Sequence, residues 1–256
     1  MSFYASNRGE TSEADFRYYD KVSLHNLLAK PAQHQGTLGM KRSVLRQFAL
    51  PALLLLGSTI ACGGDTSMLR PPKGSKVAII VFEDLECPDC SRAAPLLHEA
   101  SKTYNIPLVQ YDFPLPQHPW SFEAAVNARY FDTKSKKIGD DYRLYIFQNQ
   151  PYITKQNLRG YTEKFAEQNK VVLPFVVDPS GELAAKVKAD YQLGQRLPVD
   201  HTPTIYVVSN SARGTPFVEV VDRTQLYHLI EQVMKDAGDN PQEHKSASAQ
   251  KSSRTQ

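Results

Sequence analysis

Val77-Ala78-Ile79-Ile80-Val81-Phe82-Glu83-Asp84-Leu85-Glu86-Cys87-Pro88-Asp89-Cys90 is the stretch on which the fold turns. Val77 to Phe82 is rich in β-branched residues and closes on an aromatic one, the pattern of a buried strand. Two cysteines follow with Pro88 and Asp89 between them, and then Ser91 to Ala100, a segment suited to a helix. A strand, a Cys-x-x-Cys and a helix together turn a weak spacing into a redox prediction. If Cys87 stands at the helix N-terminus, its thiolate faces unpaired backbone N–H groups and the positive end of the helix dipole. Cys90 lies one turn on, on the same face, in reach of a disulfide with Cys87.

Working outward, the helix is predicted to end near Thr103, stopped by Asn105 and Pro107, with Pro95 removing a backbone donor inside it. Leu108 to Phe113 then alternates, with Val109, Tyr111 and Phe113 on one side and Gln110 and Asp112 on the other. The unit is β-α-β, so its strands should be parallel with a right-handed crossover. From Pro114 to about Arg196 the pattern is mostly helical: Ser121 to Phe131, Asp140 to Gln148, and Glu182 to Leu193. Val171 to Val177 is compatible with a strand or with a buried helix end, which periodicity does not separate. Thr204 to Val208, a turn at Ser209–Gly214 and Pro216 to Val221 read as a hairpin. Asp222 can cap a final helix whose buried stripe is Leu226, Leu229, Ile230 and Val233.

The remaining ends are of different character. Residues 1–39 are polar, without apolar periodicity, and are expected to be disordered or a non-native upstream extension of a chain that starts at Met40. Met40–Arg46 is basic, Phe48–Leu56 is apolar, and Gly57–Cys62 is built of small residues, the three regions of a secretory signal. The alternative is a cytoplasmic tail ahead of a signal anchor, against which the shortness of the apolar run argues. Either way the part beyond Cys62 should lie outside the cytoplasm. Thr59-Ile60-Ala61-Cys62 resembles a bacterial lipobox, with Thr59 where leucine is usual, so Cys62 is a candidate for lipidation. Ordinary cleavage near Ala61 and an incidental free thiol are its alternatives. Residues 63–75 read as a flexible linker, and 238–256, made of Ser, Gln, Lys and Ala, as a disordered tail.

Composition sets outer limits. At 256 residues the chain can bury a good core, and one domain with an inserted subdomain is the natural expectation. A net charge of +3, with basic residues spread among acids, gives no sign of nucleic-acid binding. The three cysteines (Cys62, Cys87 and Cys90) exclude a disulfide-stapled miniature scaffold and a complete four-cysteine zinc site.

With these elements in place the chain resembles the DsbA-like thiol–disulfide oxidoreductases of bacterial envelopes, members of the thioredoxin superfamily. The resemblance spans about residues 70 to 237. It rests on Cys87-Pro88-Asp89-Cys90 with Pro95, on Phe113-Pro114-Leu115-Pro116-Gln117-His118-Pro119 before an alanine-bearing helix, on His201-Thr202-Pro203-Thr204 before a strand, and on the closing hairpin and helix. It implies an α/β thioredoxin fold over 76–237, a mixed sheet flanked by helices, with a helical insertion at about 114–200. It implies Cys87 as nucleophile, Cys90 as resolving cysteine, and a cis Pro203 that brings the Thr202 backbone beside them to pair with substrate. A structural disulfide, half of a zinc site and a trans Pro203 on an edge strand are the alternatives. So short a loop removes little chain entropy, which argues against a purely structural bridge.

Pro88 and Asp89 would set the redox poise. Asp89 replaces the histidine of strong oxidants and is expected to raise the Cys87 pKa and make the pair less oxidising. The acid that the family often places six residues before the first cysteine is Val81 here; Glu83 and Asp84 read as ordinary polar residues at a strand end, the alternative being that Glu83, two residues on along the same strand face, takes the place of that acid. His118 is expected to pack or cap, His201 to flank the proline loop, and His98 to sit at the surface or in a groove. The resemblance implies no cofactor, protein thiols and disulfides as substrates, a membrane partner that resets the pair, and attachment to the membrane if Cys62 is lipidated. The second function reading is a peptide-binding or chaperone-like module whose cysteines form a structural disulfide.

Overall fold

The β-branched run forms the central strand that its composition predicts. In the computed structural model, which describes residues 68–197, 199–212 and 216–253, β1 spans Val77–Glu83 and every residue of it is buried. α1 is Pro88–Tyr104 and β2 Leu108–Asp112. The insertion then contributes α2 (Ser121–Asp132), α3 (Lys136–Asn149), a 3₁₀ turn at Gln150–Tyr152, α4 (Leu158–Gln168) and α5 (Glu182–Arg196). β3 (Thr204–Ser209), β4 (Phe217–Glu219), a 3₁₀ turn at Arg223–Gln225, α6 (Leu226–Asp236) and α7 (Pro241–Ser253) complete the chain order. The signal-like stretch 40–62, including Cys62, lies outside the described residues.

The four strands run β2-β1-β3-β4. β1 and β2 are parallel, with Val81 opposite Gln110 and Glu83 opposite Asp112, whereas β1–β3 and β3–β4 are antiparallel. The mixed sheet with a helical insertion between its β-α-β and β-β-α halves is therefore the thioredoxin fold anticipated from the motifs.

Pleating sends alternate residues of β1 to opposite faces. Val77, Ile79 and Val81 pack with Ala93, Leu97 and Tyr104 of α1 and with Leu226, Ile230 and Val233 of α6. Phe82, out of step with them, stacks on Tyr111 at 5.0 Å and meets Phe113 edge-on at 6.3 Å. Phe113 in turn stacks on Tyr191 of α5 at 4.6 Å. α5 comes this close because residue 194 is glycine, where a Cβ would stand 2.5 Å from the Phe113 ring. A second apolar cluster fills the insertion and includes Leu85, Cys87, Cys90, Trp120, Phe131, Tyr142 and Phe165. Both cysteines thus sit where the sheet meets the insertion core.

Three expectations require correction. The polar tail is helical over Pro241–Ser253: Asn240 Oδ1 accepts the Gln242 N–H at its start, and Ser248 Oγ donates to the Lys102 carbonyl at the end of α1. Its small, polar composition lets it dock by hydrogen bonds where it lacks an apolar stripe. The linker ends before residue 69, since Leu69 is buried. Val171–Val177, ambiguous between strand and helix, is neither; it is an irregular segment in which Val172, Phe175 and Val176 are exposed.

Candidate active site

Cys87 is the N-cap of α1, extended at φ −77° and ψ 120°, with Pro88 at the first helical position. Proline fits there because its missing N–H is one that the helix leaves unpaired anyway. Cys90, one turn into the helix, is buried, and both cysteines are free thiols. Far along the chain, Thr202-Pro203 is a cis peptide and the Thr202 carbonyl lies 3.3 Å from Cys87 Sγ. The structure therefore brings Cys87, Cys90, Thr202 and Pro203 together.

The two thiols are driven apart in acidity. Cys87 falls from 9.0 to about 5, chiefly because the Cys90 thiol donates to its thiolate. Burial opposes that shift, while the backbone N–H groups of Cys90 and Asp89 add to it. Cys90 goes the other way, well above 9.0, through burial and the nearby Cys87 sulfur. The Asp84 N–H, 3.4 Å from Cys90 Sγ, only partly offsets this. One sulfur is poised as a thiolate and its neighbour is held as a thiol. That is the division of labour an attacking and a resolving cysteine require.

Asp89 does not act as its charge alone suggests. Its carboxylate accepts from Arg223 Nη2 at 2.8 Å and from Arg92 Nη2 at 3.0 Å, and its effect on Cys87 comes through its backbone N–H, which lowers the thiol pKa. Two guanidinium groups thus face the carboxylate whose charge is expected to raise the Cys87 pKa.

Glu83 and Asp84 also depart from expectation, for both are buried. Asp84 accepts from the backbone N–H groups of Glu86 and Leu115 at 2.7 Å each, faces His118 Nδ1 at 2.7 Å, and binds the Ser121 hydroxyl. Glu86 accepts from the N–H groups of Trp120 and Ser121 at 2.8 and 3.1 Å, an anion at the positive end of α2. This pair of carboxylates fastens the cysteine loop to the start of the insertion, and His118 serves that clamp. Glu83 receives Gln110 Nε2 at 3.1 Å and lies 3.7 Å from Arg143, and burial pushes its carboxyl up to about 7. Position 81 is a valine in the apolar core, so the buried acid of β1 is Glu83. His201 is exposed and pairs with Asp200, while His98 is half-buried and its pKa is lowered by burial.

Gln150 and Arg223 carry no motif, yet both hold the site. Gln150 Nε2 donates to the carbonyls of Leu85 and Cys87 at 2.8 and 3.1 Å. Neither has a local signal in sequence, since their partners are 63 and 134 residues away.

A family model described as Thioredoxin matches residues 65–224, which include the strand, both cysteines and the cis-proline loop. The chain belongs to the thioredoxin family. A comparison with curated proteins found no match. Among solved structures, BdbD from Bacillus subtilis in its oxidised form superposes with a TM-score of 0.54 at 17% identity, covering 69% of this chain and 96% of BdbD. A variant of α-DsbA1 from Wolbachia pipientis gives 0.54 at 14% identity over 64% and 88% of the two chains. The thiol–disulfide exchange protein α-DsbA2 from the same organism gives 0.50 at 15% identity over 64% and 85%. At such identities the likeness concerns the fold. The DsbA-type arrangement of a thioredoxin sheet with a helical insertion is the architecture shared.

Proposed function

We propose that this thioredoxin-family chain is a thiol–disulfide oxidoreductase that exchanges disulfides with cysteines of envelope or secreted proteins through Cys87 and Cys90. The observation that carries the reading is the pairing of a Cys87 thiolate at a helix start with a buried Cys90 thiol, beside the Thr202 carbonyl at 3.3 Å. α-DsbA2, which has the same fold, is described as a thiol–disulfide exchange protein.

In the oxidising direction, a substrate thiolate attacks Cys87 Sγ of the Cys87–Cys90 disulfide. The S–S bond breaks, its electron pair leaves on Cys90, and that thiolate takes up a proton. A second substrate thiolate then attacks the substrate sulfur of the mixed disulfide and expels Cys87 as a thiolate. Two electrons pass from the substrate dithiol to the cysteine pair, and the substrate gains its disulfide. A stabilised Cys87 thiolate is a good leaving group and favours the reduced pair, so electrons are accepted readily. The Thr202 backbone offers an extended substrate segment a place to pair. Function outside the cytoplasm, a lipid tether at Cys62 and a membrane redox partner that reoxidises the pair belong to this proposal. The signal-like stretch and the oxidising chemistry support them.

The test mixes the oxidised protein with a reduced dithiol peptide and follows disulfide formation. Wild type should oxidise the peptide and Cys87→Ala should not; Cys90→Ala, offered a disulfide-bonded peptide instead, should attack it through Cys87, release one peptide thiolate and hold the peptide as a persistent mixed disulfide. Equal activity of wild type and Cys87→Ala would overturn the reading in favour of a peptide-binding module.

A further inference from the structure

The Cys-Pro-Asp-Cys turn puts an anion where a thiolate has to be stabilised. Asp89 is the second residue of α1, so its carboxylate and the Cys87 thiolate compete for the positive end of one helix. The structure answers this with a residue from the other end of the fold. Arg223 Nη2 donates to Asp89 Oδ1 at 2.8 Å and Arg223 Nη1 donates to the Asp89 backbone carbonyl at 3.2 Å. One guanidinium therefore grips both the side chain and the main chain of the dipeptide between the cysteines.

Arg223 is itself held in place. It opens the 3₁₀ turn Arg223–Gln225, which Asp222 caps by accepting from the N–H and hydroxyl of Thr224 at 2.9 and 2.8 Å. Its side chain is 34% exposed, against 68% for Arg92, the other partner of Asp89. A single-pronged contact to a largely exposed guanidinium is worth little, whereas a two-pronged contact to an ordered one is stronger.

We propose that Arg223 is a positioning residue for the redox pair: by pinning Asp89 it removes the negative charge that this dipeptide would set against the Cys87 thiolate, and so keeps the pair oxidising. The acidity of Asp89 agrees. Burial would raise its pKa, but the hydrogen bond and charge of Arg223, with Arg92 behind them, hold it below the ordinary carboxylate value. Among the main influences on Cys87, Asp89 enters through its backbone N–H.

The inference deepens the exchange reading, and its test is a double-variant cycle on the full chain: wild type, Arg223→Gln, Asp89→Asn and the two combined, with Arg223→Lys as the conservative change. The thiolate absorbance of reduced Cys87 is titrated, and the equilibrium with glutathione gives the potential. Arg223→Gln should raise the Cys87 pKa by about one pH unit, tenfold less thiolate relative to thiol, by uncovering one nearby charge. That tenfold change makes the pair about 30 mV more reducing. Asp89→Asn removes the anion and leaves its guanidinium partners, so the Cys87 pKa should lie at or below the wild-type value; Arg223→Gln added to it should raise the pKa by clearly less than in the Asp89 background, and Arg223→Lys should fall between wild type and Arg223→Gln.

An unchanged pKa in Arg223→Gln, or the same rise with and without Asp89, would overturn the proposal. The second outcome is also what general disruption of the site would produce. Because the titration needs no substrate, a coupled pair without disulfide exchange would remove only the reading above. Exchange without coupling would remove only this one.

Discussion

Titrating the reduced protein should show Cys87 losing its proton near pH 5, against 9.0 for an ordinary cysteine. At pH 7 the folded chain then carries Cys87 almost wholly as thiolate, while the unfolded chain carries it almost wholly as thiol. The distance from pH 7 to pH 5, at 1.36 kcal/mol per pH unit, corresponds to about 2.7 kcal/mol favouring the folded reduced state. Solvent reaching the open side of the site lowers this to about 1–2 kcal/mol. The sign follows from a depressed folded-state pKa. The stabilisation is complete above pH 9, shrinks as pH falls, and is gone below about pH 5. In the oxidised protein the thiolate is absent and so is this term. Denaturant unfolding of the reduced and oxidised forms at pH 5, 7 and 8 measures it, with thiolate absorbance reporting ionisation and Cys87→Ala as the baseline. The reduced form should gain on the oxidised form by about 1–2 kcal/mol between pH 5 and pH 7. A thiolate midpoint above pH 8, or a reduced-minus-oxidised difference that is flat from pH 5 to 8, would refute the reasoning.

Two further outcomes follow from the buried carboxylates. Glu83, pushed up to about 7, binds its proton more tightly in the folded than in the unfolded chain, so the oxidised wild type, which has no Cys87 thiolate to offset it, should lose stability as pH rises from 4.5 to 7. Glu83→Gln should flatten that part of the stability–pH curve, and an unchanged slope would show that the carboxyl ionises normally. Asp84→Ala strands the Glu86 and Leu115 N–H groups and the Ser121 hydroxyl in a buried site, at ~1–3 kcal/mol each. After partial rearrangement, about 3–5 kcal/mol of unfolding free energy should be lost; a loss under ~1 kcal/mol by urea titration would contradict the clamp.

Much of the fold was legible because its signals are local. Val77 to Phe82 announces a buried strand, Asn105 and Pro107 end α1, and the hairpin around β3 and β4 follows from two apolar runs about a turn. α7 was not legible: its seating on α1 depends on contacts such as that between Ser248 and Lys102, 146 residues apart. Nor was the fate of Val171–Val177, whose apolar composition suits several environments and whose exposure depends on what packs around it.

The sequence by itself picked out the two sulfur atoms to which the proposed chemistry is assigned. A thiol at a strand–helix junction meets unpaired N–H groups wherever it occurs, and a second thiol one turn on meets the first, so Cys87 and Cys90 followed from the spacing read together with the strand before it, the helix after it and the Thr202-Pro203 motif. Tertiary structure decided how those thiols are tuned. Charges in a folded chain act through distance in space, and the residues that set the balance here are remote in sequence. Arg223 compensates Asp89 from 134 residues away, and Thr202 reaches Cys87 across 115. Read in sequence, Asp89 is an anion beside a thiolate; in the fold it is half of an ion pair, and Cys87 stays acidic.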